Sequence, residues 1–83
     1  MMLPTEFRAA VEEILEMPRG TLKDSDSRDT VETWTSIADL QILTFISSEF
    51  GVEPEPEFME AKTFGDLLRK LEEKLGRPWS SQI

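Results

Sequence analysis

The chain has 83 residues, 17 acidic and 9 basic, a formal net charge of −8, and neither cysteine nor histidine. A chain of this size makes one domain with a modest stability margin, and a compact helical bundle is the easiest way to build it. Missing cysteine excludes disulfides and thiolate metal sites, and missing both residues removes the side chains best suited to base or nucleophile work near neutral pH, which argues against an enzyme.

The charge is unevenly placed: residues 1–61 hold 14 acidic and 4 basic side chains, residues 62–83 hold 3 and 5. Such a surface repels phosphate backbones and anionic lipid, so no nucleic acid and no membrane is expected as a partner; basic protein surfaces fit better. The segment Met1 to Glu6 lacks the basic and long apolar regions of a signal peptide, and no apolar run reaches membrane-spanning length. The expectation is a cytoplasmic monomer with a single domain, its core at about residues 5–75 and a tail at 76–83.

A first helix is predicted from Thr5, as N-cap, to Met17, with Phe7, Ala10, Val11, Ile14 and Leu15 on one face and Pro18 and Gly20 stopping it. Its Glu12 and Glu13, like Glu72 and Glu73 later, are expected to face water. Residues 18–35 then form a long polar connection with only Leu22, Val31 and Trp34 to pin it, and loops of this length are usually functional or mobile. The run Asp24 to Asp29 invites a calcium-loop reading. It fails because Arg28 takes a ligand position, Asp29 the glycine position and Thr35 the place of the bidentate glutamate.

A second helix begins at Thr35 or Ser36 and ends before Gly51, a natural left-handed stop. Ile42, Leu43, Phe45, Ile46 and Phe50 make its broad core face, with Leu40 at the edge, whereas Ile37, Gln41, Thr44 and Ser48 share a different and uncharged face. After Pro54 and Pro56 a short helical turn is predicted over Glu57 to Ala61, around Phe58 and Met59. The last helix has Thr63 as N-cap, Asp66 as its capping partner, a stripe of Phe64, Leu67, Leu68, Leu71 and Leu75, and a stop at Gly76 and Pro78. The tail is expected to fray, with Trp79 able to fold back onto the bundle.

Ser36 admits two readings. Followed three residues later by Asp39, it carries the signature of a helix cap. It also places a hydroxyl at a helix start, where backbone amides and the macrodipole favour an attached phosphate.

The stretch Trp34-Thr35-Ser36-Ile37-Ala38-Asp39-Leu40, followed by Leu43, Ile46 and Glu49-Phe50-Gly51-Val52, resembles the acyl and peptidyl carrier proteins, in which a serine opens the second helix within Asp-Ser-Leu or Trp-Asp-Ser-Leu. Thr63-Phe64-Gly65-Asp66-Leu67-Leu68 is similar to the start of that family's last helix, and the resemblance spans about residues 5–75. It implies an all-α, acyl-carrier-like four-helix bundle, three main helices plus a short one, with a long loop between the first two. It implies that Ser36 accepts 4′-phosphopantetheine from coenzyme A through a phosphopantetheinyl transferase. It further implies exchange of acyl or aminoacyl thioesters with loading and condensing enzymes of fatty acid, polyketide or related biosynthesis, docking through Ile37, Leu40, Gln41, Thr44 and Ser48. Part of a bound chain is expected near Leu43, Ile46, Phe50, Phe64 and Leu68, where plain packing is the competing reading.

The sequence departs from the family at Thr35, which stands where an acidic residue usually precedes the serine, and at Gln41, Ser47 and Ser48, which replace carboxylates found in many relatives. The rival expectation is an unmodified interaction domain in which Ser36 only caps its helix.

Overall fold

Proline at the first helical position, where its missing N–H leaves no bond unmade, starts α1 (Pro4–Ile14) in the computed structural model, which describes residues 3–53 and 55–76. Two further α-helices follow, α2 (Ser36–Phe50) and α3 (Phe64–Leu75), with a 3-10 helix (Pro56–Glu60) between them. The described residues contain no strand, only an isolated antiparallel bridge between Ser27 and Thr63. Nor does any described helix have the length and apolarity to cross a membrane. Pro78, Trp79 and the rest of the tail beyond Gly76 lie outside the described residues, as does Pro54.

Phe7 is fully buried at the centre of the core and meets rings from two other helices: Phe45 at 6.0 Å and Phe50 at 5.9 Å from α2, and Phe64 at 5.9 Å from α3. Val11, Leu15, Ile42, Leu43, Ile46, Phe58, Leu67, Leu68 and Leu71 belong to the same cluster, as do Leu22, Val31, Trp34, Ala38 and Ala61, while Phe45, Phe50 and Leu75 are among the half-buried residues at its margin. The apolar stripes of α2 and α3 therefore pack as their spacing predicts. Both helices also end as predicted, at Gly51 (φ 69°) and Gly76 (φ 74°), in the left-handed conformation that glycine adopts without a Cβ clash.

The first helix differs from its predicted limits at both ends. Leu3, not Thr5, precedes the first turn, and its N–H donates to Glu6 Oε1 at 2.8 Å. The helix closes three residues short of Met17 because Glu16 takes a left-handed conformation (φ 58°). The Met17 N–H donates to the Glu12 carbonyl (2.8 Å) and the Glu16 N–H to the Glu13 carbonyl (3.1 Å), the paired bonds of a Schellman stop. Half-buried Met17 packs back onto the core, and the Thr33 hydroxyl donates to the Leu15 carbonyl at 2.5 Å, so the turn is held from both sides.

Glu12 corrects a second expectation. Its neighbour Glu13 is exposed, but Glu12 is only 2% exposed and accepts the Leu22 N–H on Oε2 at 2.9 Å. Arg8, one turn earlier, donates to the Leu22 carbonyl at 2.8 Å and pairs with Asp24. Two side chains of α1 thus hold both backbone polar groups of one loop residue, Leu22, whose side chain is buried in the core.

Further bonds tie the connection over residues 18–35 to the start of α3. The carbonyls of Asp26 and Asp24 accept the first amides of α3, from Phe64 and Gly65, both at 2.9 Å. A Cβ on Gly65 would lie 3.2 Å from the Asp24 carbonyl oxygen, so glycine permits this approach. Val31 and Trp34 are buried, as predicted. The connection is a strap that joins α1, α2 and α3.

Candidate functional site

Thr35, with extended backbone (φ −96°, ψ 178°), is the cap of α2: its hydroxyl accepts the Ala38 N–H at 3.4 Å and its carbonyl accepts the Asp39 N–H at 2.9 Å. Ser36 is the first helical residue and its hydroxyl does not cap. The reading of Ser36 and Asp39 as a capping pair is therefore wrong, for a physical reason: Asp39 points its carboxylate away, toward Arg28 and Trp34. Ser36 is exposed, and among the described residues its hydroxyl has no hydrogen-bond partner. The backbone amides of Ser36 and Ile37 find no acceptor there either, as expected for the first turn of a helix.

Next to Ser36, α2 shows water an apolar strip. Ile37 is 68% exposed and Leu40 58% exposed, and with Gln41 and Thr44 they line a shallow depression of about 320 Å³. The Thr44 hydroxyl turns back and donates to the Leu40 carbonyl at 2.9 Å. Ser48 is exposed one turn further along. All five residues expected on the docking face are thus exposed, Leu40 among them rather than at the edge of the core. Asp39 and Ala38, on the opposite side, are buried.

Leu43, Ile46, Phe64 and Leu68 are buried packing residues, and Phe50 is half-buried beside them. A larger open groove of about 550 Å³ follows the outside of α1, lined by Glu6, Ala9, Ala10, Glu13, Met17 and Arg19; it adjoins none of the residues around Ser36.

Sequence reasoning missed the group that holds this end of α2. Arg28 donates from Nε to Asp39 Oδ2 (2.9 Å) and from Nη2 to Asp39 Oδ1 (2.8 Å), a bidentate pair. Its Nη1 donates to the Ala61 carbonyl (2.7 Å) and Nη2 also reaches the Met59 carbonyl (3.1 Å). The guanidinium lies 5.1 Å from the centre of the buried Trp34 ring, whose indole N–H donates to Asp39 Oδ1 at 2.7 Å. The available signal was an isolated acid near the start of a helix otherwise almost free of charge, with tryptophan and arginine just upstream.

The acidic run also has a structural account. Asp24 pairs with Arg8, while Asp26 accepts the Lys23 N–H (2.8 Å) and the Thr30 hydroxyl (3.1 Å). No three His, Cys, Asp or Glu side chains converge as a metal site among the described residues.

The groups with shifted titration, Glu57, Asp66 and Lys74, lie on the 3-10 helix and α3. Lys74 stands 2.8 Å from both Glu55 and Glu57, and its hydrogen bonds to them raise its pKa; the bond from Lys74 correspondingly lowers that of Glu57. Asp66 is partly desolvated, which raises its pKa, but bonds from Arg69 and from Thr63, the cap of α3, outweigh this and hold it below the usual value.

Compared with protein-family models, curated proteins and solved structures, the chain matches none.

Proposed function

We propose that the protein is an acyl-carrier-type protein of the four-helix kind, with Ser36 as the attachment point for 4′-phosphopantetheine. One observation carries this reading: Thr35 caps α2 in place of Ser36, so the Ser36 hydroxyl is exposed and uncommitted at the positive end of a helix. A phosphodiester formed on Ser36 Oγ stands beside the free amides of Ser36 and Ile37, donors suited to its oxygens.

In the transfer, a partner transferase brings coenzyme A to this end of α2. Ser36 Oγ forms the new bond to phosphorus, the pyrophosphate P–O bond breaks, the adenosine bisphosphate half leaves, and the hydroxyl proton passes to a base on the transferase. When attached, the arm supplies the thiol that the polypeptide lacks, on which acyl or aminoacyl groups are held as thioesters. Ile37 and Leu40, exposed beside Ser36, give partner enzymes an apolar surface, and Gln41, Thr44 and Ser48 extend it without charge. The carrier thus contributes position and recognition, and its partners contribute the chemistry.

The rival, an unmodified interaction domain using the same strip, is favoured by Thr35 in place of the usual acid. Intact mass after incubation with coenzyme A and a broad-specificity transferase separates the two. The carrier reading expects a gain of one phosphopantetheine in the wild type and none in Ser36→Ala. Thr35→Asp should react faster than wild type, since aspartate also caps helices and adds a charge that a basic enzyme residue can grip. A folded wild type and a folded Thr35→Asp that both stay unmodified would favour the rival.

A further inference from the structure

Thr35, Ser36 and Ile37 are all exposed, and their side chains make a single hydrogen bond among the described residues, the long 3.4 Å cap from Ala38. Their side chains therefore do little to fix them, although the Thr35 N–H donates to the Thr33 carbonyl and the Thr35 carbonyl accepts the Asp39 N–H, both at 2.9 Å. The flanks do more: Trp34 lies two residues before Ser36 and Asp39 three after, both are buried, and both are bound to each other and to Arg28. The same guanidinium holds the carbonyls of Met59 and Ala61, at the end of the 3-10 helix.

We propose that Arg28 is the positioning residue for Ser36: through Asp39 and Trp34 it sets the first turn of α2 at the angle in which Ser36 meets an incoming enzyme. This rests on the reading of Ser36 as a modified residue. Arg28 itself touches neither the hydroxyl nor, on this account, the transferase; it acts through its partners. Arginine is required because its planar fork presents parallel donors to both Asp39 oxygens and still reaches two carbonyls. A lysine keeps the charge and cannot reproduce that geometry.

Arg28→Lys is therefore the informative variant, with Asp39→Asn as a second that keeps an oxygen for the Trp34 indole. With transferase and coenzyme A, kcat for each folded variant should fall about tenfold while KM for the carrier changes less than about twofold, because Ile37 and Leu40 are untouched. In the same variants, without any enzyme, amide exchange at Ala38–Leu40 and Phe58–Ala61 should quicken together by about tenfold, with Leu67–Leu71 unchanged. A wild-type kcat in Arg28→Lys overturns the proposal, as does exchange that quickens evenly through all helices, which would mark an ordinary stabilising contact. If the wild type is not modified at all, the carrier reading fails, and exchange alone decides: coupled opening of the two segments sustains the clamp, and unchanged exchange overturns it.

Discussion

Residues 18–35 and the outer strip of α2 adjoin each other in sequence and meet opposite fates. The first is polar and charged, yet Arg8, Glu12, Arg28 and the opening amides of α3 hold its backbone and side chains in place. The second is uncharged and partly apolar, yet Ile37 and Leu40 stand largely in water. Polarity alone therefore does not say which segment is fixed here; what matters is whether each polar group finds a partner. A fold that buries Glu12 and exposes Ile37 sorts its side chains by the partners they find and not by polarity.

The held connection should be most sensitive at Trp34. Truncation to alanine removes a buried indole and the donor to Asp39, and should cost about 3–5 kcal/mol in urea unfolding. A cost below about 1 kcal/mol would show that the connection contributes little to the fold. Glu12→Ala comes next. It strands the buried Leu22 amide, so a loss of about 1–3 kcal/mol is expected, and no loss would mean that the amide reaches water.

Glu16→Gly should act in the opposite direction and raise stability by about 1 kcal/mol. It relieves a left-handed residue and removes a negative charge from the negative end of α1, although the added freedom of the unfolded chain offsets part of the gain. A fall in the thermal midpoint would place that turn under other control. The smallest effect belongs to the bare strip: Ile37→Ala should change stability by less than about 0.5 kcal/mol while weakening partner binding. A loss near that of a core isoleucine, about 2–5 kcal/mol, would remove the basis for the docking face.

Periodicity made the core of α2 and α3 legible because their apolar residues recur at helical spacing and their glycine stops are local signals. The exposed Ile37 strip was legible for the same reason, since Ile37 falls outside the arc that the core uses. The early end of α1 was not, because glutamate is an unusual residue for a left-handed stop and the bonds that hold it reach forward to Met17 and Thr33. Glu12 was misread because its partner is a backbone amide ten residues away, which no side-chain pattern encodes. At the candidate site the exposure of Ile37 and its neighbours on that face was legible, but the choice of cap, left between Thr35 and Ser36, was not. Thr35 and Ser36 are both good caps, and the choice between them follows from where Asp39 goes, which depends on Arg28 in a distant part of the loop.

The central claim is that Ser36, freed from capping, carries the arm. Fragmentation mass spectrometry of the protein after incubation with coenzyme A and a transferase tests it most directly, because Ser47 and Ser48 lie on the same helix and share its serine chemistry. The account predicts a single phosphopantetheine adduct located on Ser36, at the helix start, with no adduct in Ser36→Ala. An adduct on Ser47, Ser48 or a loop serine, or one retained in Ser36→Ala, would contradict it.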